Sequence, residues 1–313
     1  MSQAFNGKTT GDKVVAAFSS QVQGRVFLVT GPTAGGIGEA TVLALARGHP
    51  AALLLVGRNP AKYEPVADAI RAIDANINVK IYGIDLASQA SVRDGALKII
   101  AENEKIDVLI NNAGAVSDRF QKTEDGIEFT FAVCHVGHFL LTNMLVRLLR
   151  KSDAPRVVNL TSEAFNVSSG DYDDYNFEKT PYNWNAAYAL AKLANVHFTK
   201  YLAANGRGIL SFAVHPGAIW STNFLKPIPD ESVAKLKGFV SSLGVVDKTL
   251  EEGAATTLVA ALDPALKDKN GILLLDCQPF ALRSEVSNKE ELPEKLWRLS
   301  EKLVKETFAC VQQ

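Results

Sequence analysis

Arg25-Val-Phe-Leu-Val-Thr30-Gly31-Pro-Thr-Ala-Gly35-Gly36-Ile37-Gly38 decides the fold: an apolar, β-branched run breaks directly into a glycine-rich turn, and Glu39 to Arg47 then reads as a helix. Glycines in such a turn tolerate positive φ and let a phosphate group approach backbone N–H groups at the positive end of the helix. Similar runs recur at Ala52 to Val56, Asn78 to Tyr82, Asp107 to Ile110, Arg156 to Leu160, Ile209 to Val214 and Ile272 to Leu275, separated by amphipathic segments. Leu53-Leu-Leu-Val56 lacks polar alternation, as a strand buried on both faces requires.

This alternation predicts an α/β fold, a single-domain doubly wound (Rossmann) parallel sheet of about seven strands with helices on both faces, binding ligands at the carboxyl ends of its strands. Residues 1–24 read as an N-terminal extension and 25–313 as the domain. Residues 221–244, with Pro227 and Pro229, interrupt the alternation and read as a loop or lid over the site.

The chain has 313 residues, 47% of them apolar, enough for one substantial core, and a net charge of −1 that gives nucleic acid or an anionic membrane no purchase. Cys134, Cys277 and Cys310 lack metal-ligand spacing and read as free thiols. No uncharged apolar run reaches the ~18 residues of a membrane span, and Met1 to Gly24 lacks a signal-peptide core. The expectation is a soluble, cytoplasmic protein. Asn159-Leu-Thr and Asn166-Val-Ser match the glycosylation pattern by chance in this setting.

In the glycine turn, Gly31, Thr33, Gly35, Gly36, Ile37 and Gly38 are the expected cradle for a dinucleotide pyrophosphate. The second strand ends in Val56-Gly57-Arg58, where an acid would grip a ribose 2′-hydroxyl. Arg58 offers instead a planar fork suited to a 2′-phosphate, favouring NADP(H) over NAD(H). Asp85-Leu86 follows the third strand and suits an adenine pocket, although Asp85 or Ser88 also suits a helix N-cap.

Tyr188-Ala-Leu-Ala-Lys192 places a phenol and an ammonium one turn apart on one helical face. Tyr175-Asn-Phe-Glu-Lys179 repeats the pattern, but Gly170-Asp-Tyr-Asp-Asp and Pro181 make that stretch a loop. The apolar run of Leu190, Leu193, Ala194, Val196 and Phe198 makes the other a helix.

With Thr30-Gly31 through Gly38, Asp85-Leu86, Asn111-Asn-Ala-Gly114, Ser162, Tyr188 to Lys192 and His215-Pro-Gly217 in order, the chain resembles the short-chain dehydrogenase/reductase family. His135-Val-Gly-His-Phe-Leu-Leu-Thr142 and Tyr188 to Asn195 look most like its retinol-dehydrogenase-like branch. The resemblance implies hydride exchange between nicotinamide and a lipophilic ketone, aldehyde or secondary alcohol. In it Tyr188 is the proton donor, Lys192 its activator and a holder of the nicotinamide ribose, and Ser162 a donor to the substrate oxygen.

The same resemblance assigns Asn112, Ala113 and Gly114 to the cofactor border, Pro216 and Gly217 to the nicotinamide side, and either Ser221 or Thr222 to a cofactor-contacting hydroxyl. It also implies a homodimer or homotetramer through helices beside the fourth and fifth strands. Two departures stand out: the glycine turn is one residue longer than usual, and Cys134 occupies the position of an asparagine that supports a relay water. The second departure leaves open an alternative, a catalytically impaired NADP(H)-binding sensor. Phe165, Trp184, Trp220, Phe224, Leu225, Leu236, Phe239 and Val240 are candidates for an apolar substrate wall. His135 and His138 have no third ligand and read as ordinary helix histidines, with no metal expected.

Overall fold

Leu53, Leu54, Leu55 and Val56 are all completely buried, and successive side chains of this strand enter opposite cores. The computed structural model describes residues 5–242 and 244–308; Cys310 and part of the expected lid, Leu243, lie outside them. Strands β1 (Val26–Thr30), β2 (Ala52–Gly57), β3 (Asn78–Gly83), β4 (Val108–Asn111), β5 (Arg156–Leu160), β6 (Leu210–His215), β7 (Leu273–Leu275) and β8 (Gln278–Phe280) form one sheet in the order β3-β2-β1-β4-β5-β6-β7-β8. Pairing is parallel from β3 through β7. The strand beyond the expected seven is β8, a three-residue antiparallel partner of β7. It holds Pro279 at the sheet edge, where a missing N–H is tolerated and no apolar period marks a strand.

Around the sheet lie α1 (Gly11–Ala17), α2 (Ile37–Ala46), α3 (Glu64–Ile73), α4 (Gln89–Glu102), α5 (Phe129–Phe131), α6 (Gly137–Leu149), α7 (Trp184–Asn205), α8 (Asp230–Ser242), α9 (Leu250–Leu262), α10 (Glu285–Asn288) and α11 (Glu291–Val304). A π-helical turn, Ala132–Val136, joins α5 to α6. One sheet face packs on α1, α2, α3 and α9, the other on α4, α6, α7 and α11. The reversal of strand order between β1 and β4 opens the crevice that such sheets offer to nucleotides.

Contrary to the expectation that no uncharged apolar run reaches the length of a membrane span, Phe129–Leu149 is long and apolar enough to cross a membrane by length and composition, yet most of it is buried within the chain. The N-terminal segment is docked as well: Val14 and Val15 are buried, and a Cβ on Gly11 would meet Leu258 at 2.9 Å. Helix α11 covers part of α7, with Trp297 stacked on Tyr201 at 4.4 Å and edge-on to Phe139 at 4.8 Å. The helices to which the resemblance assigns subunit contacts, α6 and α7, thus share this face with the chain's own C-terminal helix. Asn159 is 1% exposed and donates to Thr199 Oγ1, so its glycosylation pattern is inaccessible.

Candidate active site

A cleft of about 440 Å³ opens at the carboxyl ends of the strands. It is lined by Gly31, Thr33, Gly35, Gly36, Ile37, Gly38, Arg58, Asp85, Leu86, Asn112, Ala113, Gly114, Pro216, Gly217 and Thr222 of the expected cofactor set, together with Ser162, Tyr188 and Lys192. Ser221 is exposed and does not line the cleft, whereas Thr222 does.

Helix α2 begins at Ile37 behind Gly36, whose missing side chain provides no cap. Its first-turn N–H groups therefore lack intrahelical partners and carry the positive helix end. Gly31 and Gly35 sit at φ 66° and 71°, and a Cβ on Gly38 would fall 2.6 Å from Asn112 Nδ2 and 2.8 Å from Pro32 Cα. Gly38 is thus needed for close packing against Asn112 and Pro32, while Gly35 has nothing within 4 Å of a would-be Cβ, and that open backbone fits a pyrophosphate. The extra loop residue is absorbed by a turn in which Gly36 N–H donates to Thr33 O and Gly35 N–H to Glu39 Oε2 at 2.7 Å.

Thr30 Oγ1 fixes the floor. It accepts from the N–H groups of Asn112 at 3.0 Å and Ala113 at 2.9 Å, and stands 2.8 Å from His138 Nε2. With both lone pairs taken, the hydroxyl donates to Nε2, which leaves the proton of the neutral ring on Nδ1, donating to Cys134 O at 3.2 Å. Asn112 Nδ2 ties the start of the glycine turn by donating to Thr30 O at 2.8 Å. Asn111 binds the sheet to the helix layer by donating to Asn159 Oδ1 and Thr142 Oγ1.

At the β2 end, Arg58 is exposed and Gly57 lies over Tyr63: a Cβ there would fall 1.9 Å from Tyr63 Oη. Asp85 Oδ1 accepts from Ala87 N–H, while Ser88 caps α4. Asp85 therefore shapes a loop on the cleft wall and leaves the helix cap to Ser88.

Helix α7 starts at Trp184 because Asn183 Oδ1 accepts from the N–H groups of Asn185 and Ala186. One turn separates Tyr188 from Lys192, whose Nζ lies 5.6 Å from the phenol ring centre. Lys192 Nζ donates to Leu160 O at 3.0 Å, and Asn195 Nδ2 donates to the same carbonyl at 2.9 Å. Burial pushes the ammonium pKa down, although the Cys134 sulfur opposes this. Burial pushes the Tyr188 phenol up, aided by the Cys134 sulfur, while a hydrogen bond with Ser162 pulls it back. The phenol thus keeps its proton near neutrality beside a second hydroxyl. Cys134 is completely buried in the π-helical turn and donates to Ala115 O at 3.4 Å.

Tyr175 and Lys179 do not line the cleft. Tyr175 packs against Phe131 at 5.7 Å, in a loop whose backbone is tied by Asp174. Of the expected aromatic and aliphatic wall only Phe224 reaches the cleft. Phe165 belongs to a small core with Leu193 and Val196, Trp220 donates to Asp247 Oδ1, and Phe239 is exposed. His135 bonds Ser300 Oγ, and no group of three or more metal-ligating side chains occurs among the described residues.

Tyr63 and Lys248 were not singled out by the sequence, and Thr30 and Asn195 stood there only as ends of longer stretches with no role of their own. Lys248 packs beneath Gly217, which at φ 97° would drive a Cβ to 2.6 Å from Lys248 Cδ, and its Nζ pairs with Asp276 at 2.5 Å. Only the positive φ that glycine allows at this position, a weak local signal, marks that contact.

A family profile described as short chain dehydrogenase matches residues 25–232. Human retinol dehydrogenase 13 is 43% identical over 198 residues, spanning 63% of this chain and 59% of that protein. Mouse retinol dehydrogenase 12 is 36% identical over 91% of this chain and 88% of its own length. A crystal structure of an uncharacterized Mycobacterium paratuberculosis protein superposes with a TM-score of 0.69 at 28% identity, covering 91% of this chain and 95% of that one.

Proposed function

The chain belongs to the short-chain dehydrogenase family, in its retinol-dehydrogenase-like branch, and from that premise we propose that it is an NADP(H)-dependent oxidoreductase acting on a lipophilic ketone, aldehyde or secondary alcohol. The observation that carries the proposal is the convergence of Tyr188, Lys192 and Ser162 on a cleft whose other end is a glycine cradle. The names of the relatives support a lipophilic alcohol or aldehyde as substrate.

The glycine turn and the α2 N-terminus would hold the pyrophosphate, Arg58 the 2′-phosphate, and Lys192 the ribose beside the nicotinamide. When bound, the nicotinamide supplies the hydride in reduction and accepts it in oxidation. Ser162 donates to the carbonyl oxygen and Tyr188 transfers its proton to that oxygen, so the carbonyl leaves as an alcohol. Lys192 favours the phenolate that remains until a solvent proton replaces the one transferred.

The test is NADPH consumption with lipophilic ketones and aldehydes. Turnover supports the proposal; tight NADPH binding with every carbonyl silent favours the sensor reading. Two further results are expected. Arg58→Ala should weaken NADPH by about ten- to a hundred-fold, the worth of a charge-assisted contact, and leave NADH nearly unchanged. Titration by cofactor fluorescence checks this, and equal losses for both cofactors would remove Arg58 from the 2′-phosphate.

The second concerns pH. The phenol pKa is raised, so the acid form needed for reduction persists through neutrality and is lost only on the alkaline side. Oxidation needs the phenolate and should speed up as pH rises. Opposite alkaline limbs in kcat–pH profiles for the two directions are expected; parallel limbs would contradict the assignment.

A further inference from the structure

Phe224 lies on the short turn Asn223–Leu225, where its N–H donates to Thr222 Oγ1 at 3.5 Å. Its ring packs on Tyr188, with centroids 5.2 Å apart and planes at 51°. It also reaches the open side of Gly114: a Cβ there would lie 3.4 Å from Phe224 Cε2, 3.6 Å from Cys134 Sγ and 3.8 Å from Lys192 Nζ. One corner of the cleft, directly beside the phenol, is thus closed by an aromatic ring. The segment carrying it is pinned on both sides, by Trp220 Nε1 donating to Asp247 Oδ1 at 2.8 Å and by Ile228, which is 3% exposed.

A carbonyl oxygen within about 2.6–3.2 Å of the Tyr188 hydroxyl puts the carbonyl carbon one bond further on, so one of its two substituents faces Phe224. Ala115 and Val133 line the cleft as well. We infer that Phe224 is the specificity-determining residue of this site, restricting one carbonyl substituent to hydrogen or methyl and so selecting aldehydes and methyl ketones over ketones with two long chains. This rests on the proposed function.

Methyl heptyl ketone and dibutyl ketone are isomers that separate the two cases. The wild type should favour the methyl ketone in kcat/KM by at least about ten-fold, the worth of one or two misplaced methylenes in an apolar site. Phe224→Ala should lower that ratio by about ten-fold, mainly through the KM of dibutyl ketone, and Phe224→Trp should raise it. NADPH titration and thermal melts of both variants establish that they are folded. A ratio unchanged in both folded variants, or moved in the same direction by both, overturns the inference while leaving the proposed function intact. A wild type silent on both ketones and on nonanal overturns the proposed function itself.

Discussion

Tyr188→Phe is expected to cut NADPH-dependent carbonyl reduction by about a hundred- to ten-thousand-fold in kcat, the range ascribed to a positioned proton donor. The substitution removes one oxygen and keeps the ring that packs against Phe224, so folding and NADPH affinity should change little. What disappears is the only phenol that the cleft places beside Lys192 and Ser162. Ser162 still offers a hydroxyl to the substrate oxygen, so KM should move far less than kcat. Tyr175→Phe, in a ring packed on Phe131 away from the cleft, should keep full turnover. Steady-state rates of the two variants against wild type decide the matter: full activity in Tyr188→Phe with loss in Tyr175→Phe would reverse the choice of tyrosine.

The second large effect is on stability. Burial lowers the pKa of His135 to about 3 and of His138, His197 and His215 to about 4. An unfolded histidine titrates near ~6.5, so each folded value is depressed. Below ~6.5 the unfolded chain binds protons that the folded chain refuses, and stability falls with pH until the folded values are reached. Above ~6.5 these residues impose no penalty.

Shifts of this size are worth about 3–5 kcal/mol per residue, against the ~5–15 kcal/mol that holds an ordinary domain. The melting temperature should fall between about pH 6.5 and 4 as the four histidines come into play, since Asp107 titrates below its ordinary value near 3.8 and buried Glu128, held above its ordinary value by burial, acts in the opposite sense. The observable is the melting temperature across that window, with His197→Phe expected to flatten the slope. A melting temperature flat from pH 7 to 4.5 would mean that these side chains are solvated or paired in the protein in solution.

Local patterns carried the parts of the fold that were legible. The seven main strands announce themselves as short apolar runs, and the choice of Tyr188 over Tyr175 followed from apolar spacing on one side and Asp, Gly and Pro on the other. The links that hold the site together are long-range and leave no such trace. Thr30 meets His138 across 108 residues, Lys192 and Asn195 share Leu160 O from more than thirty residues away, and Lys248 pairs with Asp276 beneath Gly217.

The apolar residues from Trp184 to Val240 show the same limit from the other side. Composition marks them as wall material, but only tertiary packing assigns Phe165 to a core and Phe224 to the cleft. For Cys134, sequence flags the substitution, and structure adds that the thiol donates to Ala115 O from a π-helical turn.

The central claim is hydride transfer from a nicotinamide to a carbonyl carbon in this cleft. Its most direct test is NADPH carrying deuterium at both hydrogens of the nicotinamide C4, incubated with nonanal and the wild-type protein, with the alcohol product read by mass spectrometry. One deuterium per alcohol, bonded to the former carbonyl carbon, is the expected result. An alcohol formed without the label, or labelled NADPH recovered unchanged beside untouched aldehyde while binding is tight, would contradict the account.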